Sequence, residues 1–575
     1  MAQAAKKVLV IGDDTRSFLA CVRSLGRQGL EVHVAPNTLS SPALASRYIK
    51  QVHILPYYLG DGQEWLTATR ALLEKERFAL VLPCEERSLL PLIRHQHEFP
   101  PETRLAIPDE RALDAFFDKV RTRELASRCD VPVAQAHLFH AEGPLPQTFP
   151  LVAKYRKSYS WPDLYVRTQV KIVKSANELA QWLQAHQPAD QEVFFEHLVP
   201  GVGVGVSVLC DRGDVLQAFE HQRAHEVSGS SFYRKSMPLH PERLAAVQRM
   251  VSAIQYTGLA MFEFKVDQPT GQWHLLEVNA RPWGSLPLPV AWGVDFPYRL
   301  YQLLVLGQRT PSVIYPAPRY ARNFMSDLWQ FRMTSSELRS HPLAMAKHAA
   351  GWMGGLLRVL VNRERQDTWV WDDTGPARLE FQQLLATVKE KLQGAQARPQ
   401  HVPPALPSER RPRLLFLCQG NICRSSYAEK KARQLIDGAG LNVDIDSAGM
   451  LPRNPRPAPL VAQEAARQHG VDLSTHASKH AFEPLLRQSD WIVIFDDINR
   501  QAVLERFPDL ENRLVYLGDF ASASESQIQD PDGDHPDEEH HDRHDQEQQQ
   551  EARQKNFGHV HEDGKSQIKP PVMSR

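Results

Sequence analysis

The chain has 575 residues, 67 Lys and Arg against 68 Asp and Glu, a net charge of −1 and 42% hydrophobic residues. That length predicts three or more domains, the composition is that of an ordinary globular protein, and the balanced charge excludes a bulk field that would gather nucleic acid or an anionic membrane. Six Cys in so long a chain exclude a disulfide scaffold, which makes the reducing cytoplasm the expected compartment.

The first residues, Met1-Ala2-Gln3-Ala4-Ala5-Lys6-Lys7, precede a short apolar run that stops at Asp13-Asp14, so the start reads as a strand and not as a secretory signal. Val8-Leu9-Val10-Ile11-Gly12 predicts that strand, and a helix follows from about Arg16 to Gln28. Val32-His33-Val34 and the run from Ala79 to Pro83 predict further strands, giving a parallel α/β domain over 1–110. Gly12 stands alone and makes no dinucleotide fingerprint. A second α/β region is expected over 111–320 and a helical extension over 321–394. Within it Leu343 to Val361 carries Lys347, His348 and Arg358, so it reads as an amphipathic helix, and no transmembrane helix is expected anywhere. Residues 395–411, rich in Pro, Gln and Ala, read as a linker. Strands near 413–418, 442–446, 490–495 and 513–516 alternate with helices, predicting a doubly wound domain with a four-stranded parallel sheet over 412–531. The end, 532–575, is almost bare of aliphatic residues between Asp534 and Lys555 and reads as a disordered polar tail. Its histidines have metal-ligand chemistry, but the composition favours a solvated polar tail over a metal site.

Two constellations carry chemistry. The first is Met261-Phe262-Glu263-Phe264-Lys265 followed by Leu275-Leu276-Glu277-Val278-Asn279-Ala280-Arg281, with a turn between them. A hairpin there brings Glu263 beside Glu277, and Asn279 shares the face of Glu277. Two carboxylates and an amide oxygen form a hard-oxygen set suited to Mg²⁺ on nucleotide phosphates, and the apolar neighbours make unpaired carboxylates costly. The segment resembles the metal-binding hairpin of the ATP-grasp superfamily over about 110–310, with the preceding α/β domain usual in those enzymes. The resemblance implies an ATP-grasp fold that uses ATP and Mg²⁺, with Glu263, Glu277 and Asn279 as metal ligands. It also implies Lys119 and Lys154 as ATP-binding lysines, Glu196 and the Leu198 backbone beside adenine, and Arg281 facing the transferred phosphate. His221, Arg223 and Arg234 fall where carboxylate–amine ligases carry basic residues near the substrate. The implied reaction joins a small-molecule acid and amine through an acyl phosphate. The loop from Tyr155 to Val166 is a candidate lid without the usual glycines, and Gly201-Val202-Gly203-Val204-Gly205 reads as a turn entering a strand.

The second constellation is Cys418-Gln419-Gly420-Asn421-Ile422-Cys423-Arg424-Ser425, between an apolar strand and a helix. A strand–loop–helix junction of this kind gathers backbone N–H groups around an oxyanion and favours a thiolate. Arg424 adds a planar fork of donors, and Ser425 can donate to the sulfur. The segment resembles the low-molecular-weight protein tyrosine phosphatases from about Pro412 to Asp530. The shared runs include Asp446-Ser447-Ala448-Gly449, Gly470-Val471-Asp472-Leu473-Ser474 with His476, and Ser489 to Asp496. The resemblance implies Cys418 as nucleophile, Arg424 as phosphate clamp, Asn421 holding the loop, Ser425 supporting the thiolate and Asp530 as general acid and base, with no cofactor. Ser426 and Met450 stand where the family usually has Pro and Thr, and Asp532 where an aromatic residue often follows the acid–Pro pair. Cys423 either packs or forms a reversible disulfide with Cys418.

The expectation is a bifunctional cytoplasmic enzyme, ligase and phosphatase, whose phosphoester is a protein phosphotyrosine or a small metabolite, with no nucleic-acid or membrane partner. Two alternatives stay open: a phosphatase regulated by a non-catalytic ATP-binding module, and an active ligase with an impaired phosphatase.

Overall fold

In a computed structural model of the chain, the described residues are 6–39, 41–56, 58, 61–159, 161, 164, 168, 170–186, 188–227, 230–338, 341–393, 406, 407, 410–451, 456–504, 506–520 and 528. Most of the expected linker, 395–411, and the whole tail, 532–575, lie outside them. The chain divides into two compact units, Met1–Leu385 and Ala386–Arg575.

The first unit begins with a parallel sheet of β1 (Lys7–Ile11), β2 (Glu31–Ala35), β3 (Ile49–Val52), β4 (Leu80–Pro83) and β5 (Arg104–Leu105), in the order β3-β2-β1-β4-β5. Val8 to Val10 of β1 are buried because helices cover both faces. The Asp14 carboxylate starts α1 (Ser17–Arg27) by accepting from the Arg16 and Ser17 N–H groups at 2.7 and 2.6 Å. Helices α2 (Gln63–Glu76) and α3 (Glu86–Arg94) complete the layer.

After α4 (Glu110–Phe117) and α5 (Lys119–Arg128) comes an antiparallel sheet of β6 (Ala136–Leu138), β7 (Leu151–Tyr155), β8 (Lys171–Val173) and β9 (Val193–His197). Helix α6 (Ala176–His186) follows β8 in the chain, and Leu179 and Trp182 pack with Ala153 and Phe195. The largest sheet runs β14 (Trp273–Asn279), β13 (Gly258–Val266), β10 (Val202–Asp211), β11 (Asp214–Val227), β12 (Ser230–Met237), β15 (Tyr320–Arg322) and β16 (Glu364–Gln366). On one face Val206, Val208, Phe262 and Phe264 pack with α4, α5 and α7 (Pro241–Ala253). On the other face Leu209, Phe219 and Met261 share a core with α1, α8 (Pro287–Ala291) and α9 (Phe296–Leu304). The N-terminal parallel sheet and the large sheet are thereby joined through one hydrophobic core.

The stretch expected to be a helical extension holds α10 (Phe324–Glu337), α11 (Pro342–Leu356) and α12 (Gly375–Gln393), and it also contributes β16 to the large sheet. Buried arginines hold it there. Arg23 donates to the carbonyl oxygens of Asp367 and Thr368 at 2.6 and 2.7 Å and pairs with Asp373 at 2.8 Å. Arg234 binds Asp367 at 2.6 Å, and Arg322 pairs with Glu364 at 2.8 Å and with Asp327.

The second unit is a parallel sheet of β17 (Arg413–Cys418), β18 (Asp444–Gly449), β19 (Trp491–Ile494) and β20 (Leu514–Tyr516), ordered β18-β17-β19-β20. It agrees with the expected doubly wound pattern. Its helices are α13 (Arg424–Ala439), α14 (Leu460–Gln468), α15 (Glu483–Gln488) and α16 (Asp497–Leu504). Cys418, at the end of the central strand β17, faces the start of α13 across a five-residue loop.

Candidate active sites

In the second unit the chain turns sharply after Cys418. Asn421 sits at φ 53°, a left-handed conformation that Asn tolerates better than most residues. This turn aims the Asn421 N–H at Cys418 Sγ, 3.2 Å away. The Ser425 hydroxyl lies 3.0 Å from the same sulfur. Asn421 Nδ2 donates to Ser425 Oγ at 3.0 Å, which leaves the Ser425 proton available to the sulfur. Both donors, and the start of a sixteen-residue helix, favour negative charge on Cys418. The Asn421 side chain also reaches Ser447 Oγ at 2.9 Å and accepts from the Lys479 N–H at 2.9 Å. The Asn421 backbone carbonyl meets His476 Nε2 at 2.7 Å. Asn421, Ser425 and Ser447 are almost wholly buried, so the loop is held rigidly from within.

Arg424, the first residue of α13, is clamped by Asp496 and donates to the Ile528 carbonyl at 2.9 Å. Its guanidinium lies over the Phe495 ring, 5.5 Å from the centroid. Asp496 also accepts from the Asn499 N–H at 2.7 Å, so one carboxylate orients the guanidinium and begins α16. Cys418 and Cys423 are both buried. Ser426, at the position of the family's usual Pro, donates to the Cys423 carbonyl at 3.0 Å. The structure thus brings Cys418, Asn421, Arg424 and Ser425 together; Asp530 lies outside the described residues. Asp496, Ser447 and Gly449 had no role assigned from sequence, although all three stand in runs that carry the resemblance. Their loop partners lie 26 to 72 positions away, which no local pattern reveals.

In the first unit the hairpin register pairs Glu263 with Glu277 and Met261 with Asn279, with a bulge after Glu263. The expected neighbourhood of Glu263, Glu277 and Asn279 is therefore present, and Asn279 Nδ2 lies 3.3 Å from Glu277 Oε1. Glu263 is paired with Arg223 of β11. Gly203 and Gly205 of β10 explain how Arg223 and His221 fit on this face: a Cβ on Gly203 would meet Arg223 Cδ at 2.7 Å, and one on Gly205 would strike the His221 ring. The glycine run is a strand that leaves room for basic side chains. Burial, with Arg223 and Arg234 nearby, pushes His221 down to about 3, so its ring is neutral at physiological pH.

Arg281 continues from β14 and reaches Glu86 Oε1 at 3.3 Å, at the start of α3. Lys154 of β7 pairs with Glu196 of β9, and Arg123 of α5 donates to the same carboxylate at 2.8 Å. Glu196 is thus doubly held, and its first partner is the lysine expected at the phosphates. Lys119 Nζ donates to Ser158 Oγ at 3.0 Å, in the expected lid loop, much of which lies outside the described residues. The Leu198 N–H is taken by the Pro150 carbonyl at 3.3 Å, and its side chain is exposed. A groove of about 520 Å³ runs beside this sheet, lined by Val120, Arg123, Val133, Ala136, Leu138 and Phe194.

Among the described residues no group of three or more His, Cys, Asp or Glu gathers as a metal site. Glu263, Glu277 and Asn279 are nonetheless an all-oxygen donor set on adjacent strand positions, which fits a hard divalent cation once Arg223 yields Glu263.

Residues 413–557 match the family model described as low molecular weight phosphotyrosine protein phosphatase. A probable low molecular weight protein-tyrosine-phosphatase, EpsP, of Ralstonia nicotianae is 31% identical over 118 residues, 20% of this chain and 77% of that protein. A protein-arginine-phosphatase of Bacillus subtilis is 28% identical over 120 residues, 21% of this chain and 79% of that protein. Among solved structures, an L-amino acid ligase from Bacillus licheniformis is similar to part of this chain, with 18% identity and a TM-score of 0.41, covering 53% of this chain and 77% of that one.

Proposed function

Through its C-terminal unit the chain belongs to the low molecular weight phosphotyrosine protein phosphatase family, and from that premise we propose that this unit hydrolyses phosphomonoesters through a cysteinyl-phosphate. The observation that carries the reading is Cys418 Sγ held by the Asn421 N–H and the Ser425 hydroxyl, with Arg424 at the first position of the helix that follows the loop. The Cys418 thiolate attacks phosphorus, the S–P bond forms and the bond to the leaving oxygen breaks. Arg424 binds two of the phosphoryl oxygens while Asp496 keeps its guanidinium in plane. Asp530, assigned on sequence alone, protonates the leaving oxygen. It then takes a proton from the water that cleaves the S–P bond, restoring thiolate and free phosphate. The Arg424–Ile528 bond, two residues before Asp530, supports this assignment.

For the N-terminal unit the proposal is an ATP- and Mg²⁺-dependent carboxylate–amine ligase. Glu263, Glu277 and Asn279 would hold the cation, which neutralises phosphate charge when bound. Lys119 and Lys154 meet the nucleotide phosphates, and Glu196, already paired with Lys154, keeps that ammonium aimed. The Leu198 backbone borders the adenine, and Arg281 faces the transferred phosphoryl group. The substrates proposed are a small carboxylic acid and an amine, with a phosphotyrosine protein or small phosphoester for the other unit, acting in the cytoplasm.

Two variants separate the halves. Cys418→Ser abolishes hydrolysis of a chromogenic aryl phosphate, a loss of roughly a thousandfold or more, and leaves ADP release on an amino-acid library unchanged. Glu277→Gln does the reverse. Wild-type hydrolysis by Cys418→Ser refutes the thiolate, and ATP binding without ADP release across a broad acid–amine screen refutes the ligase in favour of a nucleotide-sensing module.

A further inference from the structure

The hairpin of α10 and α11 carries a surface that neither site uses. Its inner side is aromatic: Phe331 stacks on His348 and Trp352, and the Trp352 indole N–H donates to Asp327 at 2.8 Å. These contacts turn His348, Trp352 and Gly355 inward. The outward side is then Leu343, Ala346, Lys347, Ala350, Met353 and Leu357, all exposed and spaced as one helical stripe. Leu343 is 87% exposed, and Leu360, just past the helix, 81%. An apolar surface of this extent on a folded chain marks a contact site.

Charge decides the occupant. Residues 342–363 include Lys347, Arg358 and Arg363 and no Asp or Glu. The nearby carboxylates Asp327 and Glu364 are buried and bound by Arg322. A second copy packed helix on helix would bring two Lys347 ammonium groups into an apolar seam with no carboxylate of α11 to neutralise them, which is costly. An anionic lipid surface supplies that counter-charge at the headgroups, with apolar depth for the leucines beneath. The fifteen-residue helix is roughly 22 Å long, too short to span the hydrocarbon core. Among the described residues no helix is long and apolar enough to cross a membrane.

We propose that the outer face of α11 docks on the surface of an anionic phospholipid bilayer, with Leu343, Met353 and Leu357 entering the headgroup boundary and Lys347 and Arg363 on the lipid phosphates. The test is co-sedimentation of the full chain with vesicles of phosphatidylcholine alone or with about one-third phosphatidylglycerol. Binding is expected to the anionic vesicles only, and it disappears when salt is raised about tenfold. Lys347→Glu and Leu357→Asp each weaken it roughly tenfold or more, with unchanged far-UV circular dichroism. The lipid and salt comparisons use the unaltered protein, so a misfolded variant does not blunt the test. Wild-type protein left in the supernatant, or sedimenting equally with both vesicles, overturns the proposal. So does a dimer in sedimentation velocity that Leu357→Asp dissociates.

Discussion

A Cβ on Gly449 would meet Gln419 O at 2.7 Å and the Asn421 nitrogen at 2.9 Å, both of them backbone atoms. Side chains can move aside, but this backbone forms the loop beneath Cys418. Gly449→Ala should therefore cut aryl-phosphate turnover by roughly a hundredfold while ADP release by the other unit is unchanged; equal turnover would show that the loop tolerates displacement. Asp13 offers a different single-residue test. Burial, and then Glu85 beside it, push its carboxyl up to about 7, against a partial opposing pull from Arg87. Between about pH 4 and pH 7 the folded chain thus keeps a proton that the unfolded chain has lost. Stability falls as pH rises through that window, and the deficit persists above it. Asp13→Asn should raise the stability of the first unit at pH 8 by on the order of 1–3 kcal/mol and leave it nearly unchanged at pH 4, read by urea unfolding at both pH values. An equal effect at both would contradict the shift. From sequence, the candidate loop was legible because Cys418, Asn421, Arg424 and Ser425 fall within eight positions. Gly449 and Asp496 were not, since β18 and the turn after β19 bring them to the loop from far along the chain.

The elements were legible where burial is complete. β1, β4 and β17 are aliphatic runs in parallel sheets covered on both faces, and such runs announce themselves. The Glu263–Glu277 pairing was legible because a short hairpin fixes its own register, but the bulge after Glu263 was not. Three-residue strands such as β15 and β16 leave no periodic signal, so their place in the large sheet came only with the structure. What holds β16 and its following turn is ionic: Arg23 binds two carbonyls and Asp373 with almost no exposure to water. Arg23→Met should lower the stability of the first unit by roughly 3–5 kcal/mol, because it strands a buried carboxylate. Denaturant unfolding checks this; a loss below about 1 kcal/mol would mean that the segment is held by packing alone.

Across the whole molecule each unit has its own hydrophobic core, and each carries one candidate site. A net charge of −1 describes neither. It averages over an acid-free stretch at α11 and an acid-rich end beyond Pro531, which is why a local lipid-facing patch was invisible to composition. Both resemblances were readable because loop and hairpin motifs are local; substrates were not, because pocket walls come from many elements. The proposed hydrolysis requires sulfur, not oxygen, to receive the phosphoryl group. Acid-quenching the wild-type protein during turnover of an aryl phosphate, then mass-mapping its peptides, reads this directly. A phosphoryl adduct of about 80 Da on the Cys418 peptide, absent from Cys418→Ser, is the predicted result. Steady turnover with that peptide unmodified, or with the adduct on another residue, would contradict the account.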